Sequence, residues 1–137
     1  MKVVYASSQE AGEGDASNLV DGDTETTWHT MYSVTVAKYP HWVDFDAGEV
    51  KTIKGFVYLP RQDGGTNGMI KDYTLQVSMD GKTWGEVVAK GSFGKGSQAQ
   101  RVTLDKPVKA RYIRFTGLSS QNGSDFAGGA EFSVIAD

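Results

Sequence analysis

The sequence predicts an all-β domain, and three observations predict it. Short segments alternate apolar and polar residues with a period of two, clusters of glycine separate those segments, and no window of about twelve residues shows a helical period. The alternation is cleanest where Tyr73, Leu75 and Val77 interleave with Thr74, Gln76 and Ser78, ahead of a Met79-Asp80-Gly81 turn that leads to Trp84. From Thr52 to Leu59, Ile53, Gly55, Val57 and Leu59 alternate with Thr52, Lys54, Phe56 and Tyr58. Val102 and Leu104 alternate with Arg101, Thr103 and Asp105; Pro107 then interrupts, and a further strand follows from Ala110 to Leu118. Trp42 to Asp46 reads as a short strand carrying Val43 and Phe45, and Ala130 to Ile135 carries Phe132 and Val134 on one face. Roughly seven or eight strands result, at the spacing of a β-sandwich or barrel.

The 137 residues suit a single domain, 1–137, with one sizeable core. Fourteen Lys and Arg against seventeen Asp and Glu leave a charge of -3, without the basic excess that a phosphate backbone demands, so nucleic acid is not an expected partner. A hydrophobic content of 39%, with three Trp, six Tyr and six Phe, excludes a disordered chain. No apolar run is long enough to span a bilayer, and Met1-Lys2 leads into Val3-Val4-Tyr5 without an apolar leader, so neither a membrane span nor an export signal is expected here. The absence of cysteine removes disulfides, thiolate nucleophiles and Cys-based zinc sites together.

Three polar intervals lie between the strands: Gln9 to Val36, Arg61 to Met69 and Ser119 to Gly129. Connections this long in a small domain usually carry function. The first contains Asn18-Leu19-Val20-Asp21-Gly22-Asp23-Thr24-Glu25-Thr26, hard oxygen ligands clustered around a glycine turn in a manner that suits calcium. It is not an EF-hand, because Thr26 and Tyr32 fall where that loop needs its glycine and its bidentate glutamate; a solvated acidic turn fits the pattern as well. His29 and His41, the two histidines, sit in no helical spacing that would make a zinc centre, and no nucleophile elbow is present. An enzyme is not expected. His29 and Tyr32 in the first interval, Arg61, Asp63 and Asn67 in the second, and Phe126 in the third form a polar and aromatic inventory that fits a sugar: a ring under its C–H face, and amide, guanidinium and imidazole groups around its hydroxyls. The same residues fit a surface ion pair and core-anchoring rings.

A set of motifs occurs in order along the chain: Thr26-Thr27-Trp28-His29-Thr30, Pro40-His41, Tyr58-Leu59-Pro60-Arg61-Gln62-Asp63-Gly64, Asn67-Gly68, Ser78-Met79-Asp80-Gly81-Lys82-Thr83-Trp84-Gly85 and Ala110-Arg111-Tyr112-Ile113-Arg114. In this ordered set, which covers about Ser7 to Ile135, the sequence resembles the F5/8 type C (discoidin-like) domain. Within that family it is similar to the family 32 carbohydrate-binding modules attached to bacterial sialidases and other glycan-degrading enzymes. The resemblance implies a jelly-roll sandwich of antiparallel five- and three-stranded sheets, with ligand held by loops at one end.

The resemblance further implies one structural calcium, whose ligands map to the carbonyl of Asn18, to Asp21, Asp23 and Thr26, to the carbonyl of Ala130, and to Glu131. For sugar it implies a His, Arg and Asn triad at His29, Arg61 and Asn67, with imidazole and guanidinium directed at the axial 4-hydroxyl of a galactose-configured ring. Many members carry Trp three residues after the histidine, where Tyr32 stands here; Phe126 matches the aromatic of the last loop, and Glu13 is the nearest match to an assisting acid, its spacing off by one. Trp28 and Trp84 are expected to fill the core or support loops, and Asp63-Gly64-Gly65 to shape the turn that presents Arg61. The implied function is a non-catalytic, monomeric, galactose-binding module that targets an attached enzyme in a larger secreted, extracellular protein. Adhesion to phospholipid or protein, as in animal discoidin domains, is the alternative, disfavoured by a mostly polar first loop and the missing cysteines. Asn122-Gly123-Ser124 is a formal glycosylation sequon.

Overall fold

The computed structural model describes residues Met1–Asp137. Its elements run β1 (Lys2–Ala6), one 3-10 turn (Ala16–Val20), β2 (Trp28–His29), β3 (His41–Leu59), β4 (Asp72–Ser78), β5 (Ala89–Ser92), β6 (Gln100–Gly117), β7 (Gly128–Gly129) and β8 (Glu131–Ala136). Two pairs of segments that read as separate strands are in fact continuous: Trp42 to Asp46 joins Thr52 to Leu59 in β3, and Arg101 to Asp105 joins the segment from Ala110 in β6, which ends at Gly117, one residue before Leu118. The antiparallel register of β3 with β6 breaks between Asp46 and Lys51 and again between Ile53 and Gly55. The second break places Pro107 in a stretch of β6 that exchanges no ladder bonds with β3, where its missing N–H costs nothing. It also reverses the alternation. Ile53 faces inward, but beyond the break Phe56 and Tyr58 are the fully buried residues, while Val57 and Leu59 are only half-buried.

The breaks divide the ladder into two layers. The first half of β3 and the second half of β6 pair with β1 and β4, and β5 pairs with β4, giving five strands in the order β1-β3-β6-β4-β5. The second half of β3 pairs with β8 on one side and with the first half of β6 on the other, giving three. All pairings are antiparallel, and the result is the jelly-roll sandwich that the family resemblance implies. Aromatic rings fill the space between the layers: Phe45 stacks on Phe132 at 4.5 Å, Phe56 lies 5.6 Å from Phe115, and Phe93 stacks on Tyr73 at 4.3 Å. Burial of each such ring contributes on the order of 2–3 kcal/mol.

The outer face of the five-stranded layer is polar. There Arg114 donates two hydrogen bonds to the buried Asp44 at 2.7 and 2.9 Å, and its guanidinium lies 4.5 Å from the Trp84 ring and 5.6 Å from that of Trp42. Trp84 thus covers an ion pair rather than entering the core. Trp28 does enter it, at 1% exposure, with its indole N–H donated to the Ser8 carbonyl at 2.9 Å.

At one end of the sandwich β2 and β7 form a two-residue ribbon, Trp28 opposite Gly129 and His29 opposite Gly128. A Cβ on Gly128 would lie 2.3 Å from the Trp28 carbonyl oxygen, so only glycine lets the third interval approach the first this closely. The ribbon brings together chain segments a hundred residues apart in sequence and sets the position of everything described next.

Candidate functional site

His29 emerges from the ribbon, and its Nδ1 lies 2.7 Å from the Thr30 carbonyl oxygen. A carbonyl only accepts, so Nδ1 carries the proton, and in the neutral ring Nε2 is left as the acceptor. Thr30 is buried and is bonded twice to Ala127, donating its N–H to the carbonyl at 2.9 Å and accepting the Ala127 N–H on its hydroxyl at 3.1 Å. The preceding residues of that loop are pinned from beneath. The Tyr39 hydroxyl donates to the Phe126 carbonyl, and His41 Nε2–H donates to the Asp125 carbonyl at 2.7 Å. Burial pushes the His41 pKa down, against the smaller opposite effect of this contact with Asp125. Phe126 is thereby held beside His29, with ring centroids 5.1 Å apart.

On the other side of His29 stands Tyr32, edge-on at 5.1 Å, with its hydroxyl donated to the Glu13 carboxylate. That hydrogen bond raises the Tyr32 pKa. A second acid, Glu10, fixes the same segment: its carboxylate accepts the N–H groups of Tyr32 and Ser33 at 3.0 and 2.8 Å and the Ser33 hydroxyl at 2.8 Å, which lowers its own pKa. Sequence reasoning missed Glu10, Tyr39, His41 and Thr30 as supports of the site. Their partners are distant in sequence or main-chain atoms, and no local pattern announces such contacts.

Arg61 follows the last residue of β3 by two positions. Its Nε and Nη2 donate to Asp63 at 2.7 Å each and its Nη1 donates to the Asn67 carbonyl at 2.9 Å, so two of the five guanidinium N–H groups remain unused. The ion pair and the Gly65 N–H hold the Asp63 carboxyl well below the usual carboxylate range. The Asn67 side chain is oriented by a chain of contacts: Asn122 Oδ1 accepts the Ser124 N–H at 3.0 Å, leaving Asn122 Nδ2 to donate to Asn67 Oδ1 at 2.8 Å. The Asn67 amide N–H groups therefore stay free.

These groups converge. Glu13, Gly14, Thr27, His29, Tyr32, Arg61, Asn67 and Phe126 line one cavity of about 520 Å³. The six residues assigned to sugar in the sequence all lie in it. Its chemistry is mixed by design of the hydrogen bonds: imidazole Nε2 accepts, while Arg61 and Asn67 donate. A hydroxyl group, which both donates and accepts, satisfies such a pair of neighbours, whereas an ion or a purely accepting group satisfies only one. Glu13 is the one carboxylate on the lining.

The acidic loop lies at the other end of the β2 segment. Asp21 accepts the Thr26 hydroxyl and, at 2.8 Å, the Asp23 N–H, and these contacts lower its pKa. The Asp23 side chain turns back to the Glu25 N–H at 2.9 Å, and the Asn18 amide donates to the Thr27 carbonyl at 2.9 Å. Glu131, the first residue of β8 after Ala130, faces Asp21; burial first, and then the Asp21 carboxylate, push its pKa up to about 7, and its Oε1 is buried without a hydrogen-bond partner. No three acid or imidazole groups gather here. The unpartnered, buried Oε1 of Glu131 facing the Asp21 carboxylate is an oxygen pair that a hard cation could take as ligands.

Comparison with known proteins places the chain. A family model described as the F5/8 type C domain matches residues 3–132. A sialidase of Micromonospora viridifaciens is 38% identical over 138 residues, which span 98% of this chain and 21% of the sialidase. A galactose oxidase of Gibberella zeae is 33% identical over 133 residues, 96% of this chain and 19% of the oxidase. The chain thus spans about a fifth of the length of these relatives. Among solved structures, CpGH89CBM32-5 from Clostridium perfringens in complex with GalNAc-β-1,3-galactose superposes with a TM-score of 0.86 at 31% identity, covering 96% of this chain and 93% of that one. The family 32 module of C. perfringens NanJ in complex with galactose superposes with a TM-score of 0.83 at 29% identity, over 95% and 90% of the two chains. The chain belongs to the F5/8 type C domain family, within its branch of family 32 carbohydrate-binding modules.

Proposed function

We propose that this chain is a non-catalytic carbohydrate-binding module whose cup receives the terminal galactose-configured sugar of a glycan, as galactose, N-acetylgalactosamine or a lactosamine end, and targets an attached glycan-active enzyme to its substrate. The observation that carries the reading is the convergence of His29, Arg61 and Asn67, with Phe126 and Tyr32 beside them, on one cavity. An axial 4-hydroxyl would donate to His29 Nε2 and accept from the unused Arg61 N–H groups; an equatorial hydroxyl leaves both without a partner, which is the basis of discrimination. Phe126 offers the face for the sugar's C–H patch, Tyr32 a smaller one, and Glu13, already bonded to Tyr32, the edge of the cup.

Calcium belongs to the same reading as scaffold. Asp21 and Glu131 would hold it, joined by Thr26, Asp23 and the carbonyls of Asn18 and Ala130, tying the first loop to the last strand. The galactose-bound and GalNAc-β-1,3-galactose-bound neighbours support the ligand class, and the longer relatives support a role as one part of a larger protein, which this reading takes to be secreted, with the module itself monomeric.

A hexose has about twelve heavy atoms, and at roughly -0.3 kcal/mol per atom binding comes to about -4 kcal/mol, a millimolar constant. Avidity from tethering supplies the rest. Calorimetry with galactose and glucose tests the reading: galactose should bind in the millimolar range and glucose at least about tenfold more weakly. Equal affinity for the two, or for neither, would overturn it.

A further inference from the structure

Beside the cup lies a second cavity of about 460 Å³, between the turn at Gly64 to Thr66, the β5–β6 connection at Lys95 to Ser97, and Asn122, with Met69 as a nearly buried floor. Only one layer of residues separates the two. Asn67 lines the cup and Asn122 the second cavity, and the 2.8 Å hydrogen bond between their amides spans the wall. Likewise Arg61 lines the cup while Gly65, against which its guanidinium rests so closely that a Cβ would fall 2.6 Å from Cζ, lines the far side. A glycan whose terminal ring sits in the cup and whose chain crosses the Asn67–Asn122 rim therefore reaches the second cavity with its next residue.

The groups left free there differ from those in the cup. The Ser97 hydroxyl has no hydrogen-bond partner, glycine backbone permits close approach, and Lys95 is the one charged residue on the lining, with no acid within 4.0 Å of its ammonium. The cup, in contrast, carries the Glu13 carboxylate. We propose that the second cavity is a subsite for the sugar that follows the terminal one, and that it favours a sugar bearing an anionic substituent directed at Lys95. This rests on the reading of the cup as a sugar site.

Calorimetry with methyl β-galactoside, N-acetyllactosamine and N-acetyllactosamine sulfated on its glucosamine tests the two separately, on the wild type, Lys95→Ala and Ser97→Trp. The galactoside should bind all three proteins equally. The sulfated disaccharide should bind the wild type about three- to fivefold more tightly than the neutral one, an advantage that Lys95→Ala removes and that salt weakens. Ser97→Trp, which fills the cavity, should return both disaccharides to the affinity of the galactoside. If the galactoside binds but neither disaccharide gains over it, or the gain survives both substitutions, the subsite is refuted and the cup stands. If the galactoside itself does not bind the wild type, both fall.

Discussion

Two of the molecule's three bidentate arginine–aspartate pairs have almost the same geometry, and they do different work. Arg114 meets Asp44 on the outer face of the five-stranded layer at 2.7 and 2.9 Å; Arg61 meets Asp63 at the mouth of the cup at 2.7 Å twice. In the sheet pair the acid side chain is 8% exposed and indole rings lie beside the guanidinium, whereas in the cup pair the acid is 54% exposed and the arginine opens onto a cavity. The first acid joins strands seventy residues apart; the second lies two residues away and can do no more than orient its partner. Hydrogen-bond geometry alone does not separate a structural pair from a binding pair. What faces the remaining N–H groups does.

Breaking each arginine should separate the roles most sharply. Arg61→Ala should weaken galactose binding at least about tenfold, beyond detection by calorimetry for a millimolar ligand, with little change in Tm. Arg114→Ala should leave binding of the folded protein intact but cost about 3 kcal/mol of stability, because it strands a buried carboxylate. A variant at Arg114 that lost sugar but kept its Tm would reverse the assignment.

The next effect concerns the scaffold beneath both pairs. Calcium at about a hundredfold over its Kd should add about 2.7 kcal/mol and several degrees of Tm, and a chelator should remove that gain. Glu131→Gln should abolish the response to calcium while the folded protein still binds galactose. A Tm indifferent to both calcium and chelator would rule the ion out.

The smallest effect isolates orientation. Asp63→Asn keeps the shape of the turn but replaces a charge-assisted pair by a neutral contact, so binding should fall only a few-fold. The sign of the pH dependence follows from the direction of the shift. A depressed folded-state pKa stabilises the protein fully above the unfolded value near 4, and the contribution is lost as pH falls through the lower folded value. Carboxyl carbon NMR should find Asp63 titrating below ordinary aspartates in the wild type and returning upward in Arg61→Ala.

Much of this was legible in the chain. Alternation at Tyr73 to Val77 and at Phe132 to Val134 marked strands because a pleated, half-buried segment requires a period of two. The alternation at Thr52 to Leu59 marked a strand but not its inward face, because the register break before Gly55 reverses it midway, and a break between two partners leaves no trace in one of them. The cup residues were legible as types in three polar intervals, since sugars demand aromatic, imidazole, guanidinium and amide groups. The short strand β5 was not foreseen: Ala89 to Ser92 is mostly exposed and carries no apolar face to betray it.

What the sequence determined by itself, then, is the all-β class, the family, and the inventory of groups available to a ligand, because these depend on residue type and near spacing. Tertiary structure alone decided that Nε2 of His29 accepts, that Asn67 offers its N–H groups, that His41 and Tyr39 brace the Phe126 loop, and that a lysine-lined hollow adjoins the cup. Each of these is fixed by a hydrogen bond or a shared wall between segments far apart in the chain, and such contacts come into being only when two sheets bring their connecting loops to the same end.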